Sequence, residues 1–504
     1  MKSKSLLLGL VFLSLISIWA KDTRPNIIFI LADDHSSKAI SAYGSKMNKT
    51  PNIDRIAEGG VLFKNSFGGT SLSGRSRASI LSGQYSHRSE IYSSRNVLSP
   101  SLQTFPKILQ DAGYQTAVVG KWRFYSRPKG FDHWAITTRE NYYYNPSFYK
   151  HKQTVKYTGY VTDVVTDLGL DWLKNRSAKK PFLLMCYQMA PHRTWSPSLK
   201  YLKKYEDVKI PEPATLYDDL NGRTKLLKST YMTLDKHLYY TYDLKVRQKV
   251  PFASKREAYF KDPERHRMTK EQKEDWDAVW EKRNKAFLAK PPKGRALLAW
   301  KYQRFIKNYL RCVDSVDENV GRILDYLEQE GLSENTIVIY SSDQGAFIGE
   351  HGFYGKGWML DPSLRHPLLM RWPKELPSGL KVESLTQNVD IAPTLLGAAN
   401  ISVPRSMDGQ SLLPLLDPAE DYSLRDYVYF RYDEGTEFNV PLQEGIRGKR
   451  YKLIYFLKTK EYNLFDLQED PHELKDLARL KGNRLLFEKM KKNLVKTRQE
   501  QKLH

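Results

Sequence analysis

The chain has 504 residues and carries 80 Lys and Arg against 57 Asp and Glu, a formal charge of +23. Hydrophobic residues make up 40% and aromatic residues 12%, which is too polar for a polytopic membrane protein and too rich in Trp, Tyr and Phe for a disordered chain. Two cysteines cannot build a disulfide framework, so the core must hold itself together.

Lys2 and Lys4 precede an apolar run from Leu6 to Trp19 that ends at Ala20. Such a run is too short for an ordinary membrane helix and reads as a cleaved signal peptide over residues 1–20, leaving no membrane span in the mature protein. The expected location is secreted or periplasmic. Export argues against nucleic acid as the partner of so basic a chain and favours a sulfated or acidic polysaccharide. Asn26 to Ala32 is a continuous apolar run after Pro25 and predicts a strand buried on both faces. Pro51 opens a short helix through Ala57, ahead of Gly59 and Gly60. Helical spacing follows over Leu102–Leu109, a strand over Gln115–Val119, a helix over Val161–Leu173 and a buried strand over Phe182–Tyr187. A long amphipathic helix over Trp300–Leu327 then leads to a strand over Ile337–Tyr340. Strand and helix alternate, which predicts an α/β layered fold. Cys186 and Cys312 fall inside these apolar elements and read as small buried hydrophobes.

Residues 250–296 are dense in Lys, Arg and Glu, with Trp276 and Trp280 one helical turn apart. They predict a charged surface helix inserted into a domain spanning 21–400 and packed by its two Trp residues. Beyond residue 400 the runs Tyr427–Tyr432, Tyr451–Phe456 and Tyr462–Phe465 are short, aromatic and separated by turns. They predict a small antiparallel sheet, closed by the last helix, in a C-terminal α+β unit over 401–504.

Asp33 and Asp34 stand directly after the first strand, and Asp343 and Gln344 just after the strand at 337–340. Ligands of open α/β sheets bind beyond the carboxyl ends of strands, and four oxygen donors there suit Ca²⁺ or Mg²⁺. Capping of the following turns would use the same residue types.

The segment Ser71-Leu72-Ser73-Gly74-Arg75-Ser76-Arg77-Ala78-Ser79-Ile80-Leu81-Ser82-Gly83 resembles the signature of the type I sulfatases of the alkaline phosphatase superfamily. That signature runs Cys or Ser, any residue, Pro or Ala, Ser, Arg, two residues, two apolar residues, Thr, Gly. Counted back from Gly83, Arg77 is the signature Arg and Ser73 the nucleophile position. The resemblance extends over Arg24-Pro25-Asn26, Thr50-Pro51-Asn52-Ile53-Asp54, Gly120-Lys121-Trp122, Ala190-Pro191-His192 and Ser342-Asp343-Gln344-Gly345. Glu350-His351-Gly352, Lys356, Leu364-Arg365 and Tyr462-Asn463-Leu464-Phe465-Asp466 follow in order. Ile40 to Gly44, Tyr85-Ser86-His87 and Pro191-His192-Arg193 with Trp195 are most similar to the bacterial branch acting on N-acetylglucosamine 6-sulfate.

The resemblance implies a large mixed sheet between helices plus a small C-terminal antiparallel sheet with a helix. It implies Ca²⁺ on Asp33, Asp34, Asp343 and Gln344. It implies a formylglycine made from Ser73 by a maturation enzyme, its hydrate steadied by Arg77, with Lys121, His192 and Lys356 on the sulfate. Sulfate-ester cleavage puts charge on the bridging oxygen, which a cation, Lys or Arg stabilises and a His can protonate. His351 and Arg365 are further candidates for substrate contact. Three positions depart from the family: Arg75 replaces Pro or Ala, Arg123 replaces His after Lys121-Trp122, and Gln443-Glu444 stand where the glucosamine branch has His-Tyr. Arg75 bears on recognition by the maturation enzyme, and Arg123 binds oxyanions but cannot donate a proton near neutrality. Both are expected at the pocket rim, tuning it toward a densely anionic glycan. The competing readings are a non-catalytic binder of sulfated glycans and a phosphoesterase with unmodified Ser73.

Overall fold

Strand β1 (Asn26–Ala32) runs through the middle of the molecule with every residue after Asn26 buried. The computed structural model describes residues 23–501 except 90–96, 139–141, 152, 249, 251–252, 254–256, 258–260, 418–421 and 434–436, so the expected signal peptide lies outside the described residues. Side chains alternate across β1. Ile28 and Ile30 enter one apolar core, and Ile27, Phe29 and Leu31 enter the other. A strand feeding two cores must be apolar throughout, which is why the run shows no alternation.

The other members of its sheet, in chain order, are β2 (Val61–Phe63), β3 (Gln115–Gly120), β4 (His133–Thr137), β5 (Ser147–Lys150), β6 (Gln153–Lys156) and β7 (Phe182–Tyr187). β8 (Thr336–Ser342), β9 (Leu368–Arg371) and β10 (Leu380–Val382) complete it. The ten strands lie in the order β10-β2-β9-β8-β1-β7-β3-β4-β5-β6. β8, β1, β7, β3 and β4 are parallel neighbours, so their carboxyl ends share one edge; β9 and the β5–β6 hairpin are antiparallel to theirs. Helices α1 (Pro51–Glu58), α4 (Val161–Asn175) and α6 (Gly294–Gln329) cover one face. Helices α2 (Ser73–Ser82), α3 (Phe105–Asp111) and α7 (Ile391–Ala398) cover the other. Helix α3 begins three residues later than the spacing predicts, because Thr104 is extended and Pro106 sits in the first turn, where its missing N–H is not needed. Cys186 and Cys312 are buried free thiols, as expected.

The charged insertion forms α5 (Lys270–Ala289), started by a capping box between Thr269 and Gln272. Trp276 and Trp280 are fully buried against the main core, the packing role their spacing predicts. The C-terminal sheet has four strands, β11 (Val428–Tyr432), β12 (Gln443–Arg447), β13 (Tyr451–Phe456) and β14 (Tyr462–Asp466), backed by α8 (Arg484–Glu500). The sequence reading names three of these strands and misses β12, which is polar and holds Gly445. A Cβ at Gly445 would stand 2.1 Å from the Leu453 carbonyl oxygen and 2.6 Å from Met359 Sδ. Close approach, not β-propensity, selects that residue.

Glu264 ties the insertion to the sheet. Its Oε2 accepts the N–H groups of Tyr143 at 2.9 Å and Tyr144 at 3.1 Å. Burial pushes its carboxyl up to about 8. The folded protein therefore favours the protonated form. The stability this brings is complete below the ordinary Glu range and is lost as pH rises toward 8. Glu264→Gln keeps an acceptor and removes the titration. Between about pH 5 and pH 8 its stability relative to wild type should climb, by at most about 1.4 kcal/mol per pH unit. Denaturant unfolding across that range checks this; a constant difference would mean that Glu264 ionises freely in the fold.

Candidate active site

Asp33 and Asp34 leave the end of β1, and Asp343 and Gln344 leave the end of its parallel neighbour β8. The pairing in register puts the four side chains together at one sheet edge. Asp34 takes a left-handed backbone, φ 63, and its N–H donates to Asp343 Oδ1 at 3.2 Å. Tyr309, on α6, fixes this bend: its hydroxyl donates to the Asp34 carbonyl and accepts the Ser36 N–H, both at 2.8 Å.

Cations enter from three sides. Arg77, on α2, has no exposed surface; it donates through Nη2 to Asp33 at 3.2 Å, through Nε to Asp343 at 3.1 Å and through Nη1 to the Lys121 carbonyl at 2.6 Å. Lys121 follows β3, and its Nζ pairs with Asp33 at 2.6 Å. Gly120 makes that exit possible, since its φ is +102 and a Cβ would stand 2.0 Å from the Tyr187 carbonyl oxygen. Lys356 Nζ donates to both oxygens of Asp34, at 2.6 and 2.8 Å.

Ser73 is the first residue of α2, where unpaired backbone N–H groups and the helix dipole favour an anion. Its Oγ accepts from Gln344 Nε2 at 2.9 Å and from Lys356 Nζ at 3.3 Å, and lies 3.5 Å from Asp33 Oδ1. His192 closes the group, with Nε2 3.8 Å from Asp34 and a side chain 21% exposed, the most open of the cluster. Its Nδ1 lies 2.6 Å from the Arg193 carbonyl oxygen, which fixes the N–H there and leaves the Nε2 lone pair facing the pocket.

Burial drives the electrostatics. It raises Asp33, but Lys121, His192, Arg77 and Lys356 together hold that carboxyl well below the ordinary range. It pushes Asp343 up to about 6, with Asp33 and Asp34 adding like-charge repulsion. Burial, then Lys121, holds His192 well below its ordinary value, with Lys356 and Arg123 contributing. Burial also lowers Lys121, and Arg123 adds to the effect.

The donor set fits a hard divalent cation. Asp33, Asp34 and His192 present ligand atoms within 4.8 Å of one another. Gln344 Oε1 is buried without a hydrogen-bond partner while its Nε2 faces Asp34 and Ser73. Turning that amide aims an oxygen at the carboxylates, a ligand of the kind a hard divalent cation takes.

The remaining predicted residues lie elsewhere. Arg75 is not on the pocket rim: it is buried on α2 and paired with Asp433. Two residues from both Ser73 and Arg77, it points away from them, because two residues turn an α-helix by more than half a circle. Arg123 is exposed, with φ 72, and lines a cleft that also contains Lys121. His351 and Arg365 border a different cavity of about 220 Å³, with Lys38, Glu350 and Arg447. There His351 Nδ1 pairs with Asp218 at 2.6 Å, and Arg365 pairs with Asp361 at 3.0 Å.

Sequence reasoning misses the clamp that sets His192. Arg193 binds Asp243 at 2.8 and 2.7 Å and lies over the rings of Tyr239, Tyr242 and Tyr354. The Tyr143 hydroxyl donates to the His192 carbonyl. The signal, an acid among tyrosines fifty positions from Arg193, has no local pattern.

The family model for sulfatases matches residues 25–401. The chain belongs to the sulfatase family. A model for the C-terminal part of N-sulphoglucosamine sulphohydrolase matches residues 349–500 of this sulfatase. An N-acetylglucosamine-6-O-sulfatase of Bacteroides thetaiotaomicron is 39% identical over 492 residues, covering 94% of this chain and 87% of that protein. The human N-acetylglucosamine-6-sulfatase is 26% identical over 457 residues, 85% of this chain and 71% of that one. A structure solved in complex with its substrate D-glucosamine-2-N,6-O-disulfate superposes with a TM-score of 0.90 at 38% identity, covering 95% and 98% of the two chains. The sulfatase is thus a sulfuric ester hydrolase with an alkaline phosphatase-like fold.

Asp243→Ala should leave the buried part of Arg193 uncompensated and cost roughly 3 kcal/mol of stability. Urea unfolding of the variant measures it, and a loss within error of zero would show that the tyrosines alone hold Arg193.

Proposed function

We propose that this sulfatase removes the 6-O-sulfate of an N-acetylhexosamine in a sulfated glycan, using a formylglycine derived from Ser73 and one Ca²⁺. The observation that carries the mechanism is Ser73 Oγ, which sits within hydrogen-bond reach of Lys356 and Gln344 at the mouth of the carboxylate cluster. The sugar is supported by the relatives at 39% and 38% identity, one an N-acetylglucosamine-6-O-sulfatase and one seen with a 6-O-sulfated glucosamine. Asp33, Asp34, Asp343 and Gln344 would hold the cation, which supplies positive charge against the sulfate oxygens. The formylglycine hydrate would supply a geminal hydroxyl as nucleophile toward sulfur.

Every other task falls to side chains of this chain. Asp33, Asp34 and Asp343 are already matched in number by Arg77, Lys121 and Lys356. Added cationic charge therefore calls for an anion, and the sulfate ester brings one. Lys356 and Lys121 orient the sulfate and stabilise charge developing on the bridging oxygen. His192 rests neutral, with its N–H at Nδ1 and the Nε2 lone pair free. Its Nε2 takes up the proton released by the attacking hydroxyl and passes it to the departing sugar oxygen. Arg77 acts through Asp33 and Asp343, which its donors hold in place. His351 and Arg365 are assigned to glycan contact around the second cavity.

The departure at Arg75 is taken up by an ion pair with Asp433, and the side chain is buried. That favours an enzyme over a non-catalytic binder. A phosphoesterase would need a second metal site, and among the described residues the cluster of Asp33, Asp34 and His192 has no counterpart. The protein is assigned to the exported compartment, where it meets glycan and, on the way, the maturation enzyme. No helix among the described residues is long and apolar enough to cross a membrane.

Conversion of Ser73 to formylglycine lowers the mass of its tryptic peptide by about two daltons. Mass spectrometry of active protein should show the lighter peptide; activity with only the unmodified peptide would eliminate formylglycine. Asp343→Ala should abolish tight Ca²⁺ binding in a calorimetric titration, whereas unchanged affinity would move the metal elsewhere.

A further inference from the structure

The cleft lined by Arg123 runs between Lys121 and the β5–β6 hairpin. It encloses about 400 Å³ and is bordered by Lys121, Arg123, Tyr125, Arg127, Tyr149 and Gln153, with no Asp or Glu among the described residues of its wall. Lys121 belongs to both places: its ammonium pairs with Asp33 in the site and its chain forms the inner end of the cleft. Tyr125 is 48% exposed and Tyr149 43%, high values for aromatic rings of a folded domain. Tyr149 stands on the hairpin between its cross-strand neighbours Ile136 and Thr154, which also border the cleft. The β-ladder therefore fixes where this ring projects.

The charge is equally directed. Arg123 and Arg127 are both exposed, and neither pairs with a carboxylate among the described residues. Arg123 shares the wall of the cleft with Lys121, whose ammonium pairs with Asp33. Guanidinium groups bind carboxylate and sulfate by paired hydrogen bonds, and tyrosine rings offer flat apolar faces with a polar tip, as a pyranose requires.

We propose that this cleft is a subsite for the sugar next to the one that loses sulfate, and that it selects a neighbour bearing a carboxylate or a sulfate. The proposal rests on the sulfated-glycan reading above. It makes the natural substrate an oligosaccharide with anionic groups on adjacent sugars, and it makes Tyr149 and Arg127 determinants of specificity remote from the chemistry.

The test uses full-length protein carrying Ser73→Ala, so that ligand is bound without turnover, and reads affinity by calorimetry. Four probes are compared: N-acetylglucosamine 6-sulfate alone, and the same sugar linked to a hexuronate, to a sulfated galactose or to a neutral galactose. Either or both of the anionic neighbours should tighten binding at least about tenfold over the monosaccharide, and the neutral one should not. The two anionic arms show whether carboxylate or sulfate is preferred. Adding Tyr149→Ala or Arg127→Gln should erase the gain while leaving monosaccharide affinity and the melting temperature unchanged. A gain that survives both substitutions, or one equal for the neutral disaccharide, overturns the subsite. Sulfate release by wild-type protein is measured in parallel by ion chromatography. Absence of release from every probe would defeat the sulfatase substrate assignment, while the binding pattern still decides the cleft.

Discussion

Three carboxylates and three cations, nearly all without solvent, occupy the end of two adjacent strands. The side chains of Asp33, Arg77 and Asp343 have no exposed surface, and those of Lys121, Lys356 and Asp34 have 1%, 4% and 9%. Such a group is tolerated only when every charge meets an opposite one at hydrogen-bond distance, since an unmatched buried ion costs several kcal/mol. The fold supplies that precision. Parallel pairing of β1 with β8 fixes the acids, α2 delivers Arg77 and Ser73 from one face, and the turn after β3 delivers Lys121. Small displacements of any element would open a gap in the charge matching. The long helix α6 accordingly spends a buried tyrosine on the bend at Asp34.

This mutual neutralisation also shapes reactivity. Cations already engaged by acids are weak ligands for one another's partners, so the pocket is held in readiness without carrying a large net field. Arrival of a cation and an anion together disturbs it least. A site of this kind discriminates by the pairing of charges that enter, as well as by shape, because a lone anion or a lone cation leaves one member of the cluster uncompensated.

Much of this was legible in the chain. The doubly buried strands β1 and β7 match the predicted bounds residue for residue, because a continuous apolar run between Pro and a polar residue has few other solutions. Asp33, Asp34, Asp343 and Gln344 were legible as strand-end oxygen donors, and Ser73 and Arg77 as a spacing. Linear nearness to Ser73 suggests the pocket rim for Arg75 but says nothing about rotation around α2, and the structure turns it to Asp433. The Asp243 clamp and β12 were illegible for a related reason. Both depend on contacts between distant segments, and neither a lone acid among tyrosines nor a strand built on Gly445 has a periodicity to read. Motif order makes His351 and Arg365 candidates for substrate contact, and the fold places both at a cavity separate from the carboxylate cluster.

The β5–β6 hairpin lies at the margin of the large sheet, four strands removed from β1, and among the described residues β6 has a neighbour on one side only. Its residues are mostly exposed, and it contributes little to either core. Such a margin is replaceable. A hairpin of different length or ring content can be exchanged there without re-registering any central strand, so under the proposed subsite the choice of glycan would vary on a part of the chain separable from the reaction.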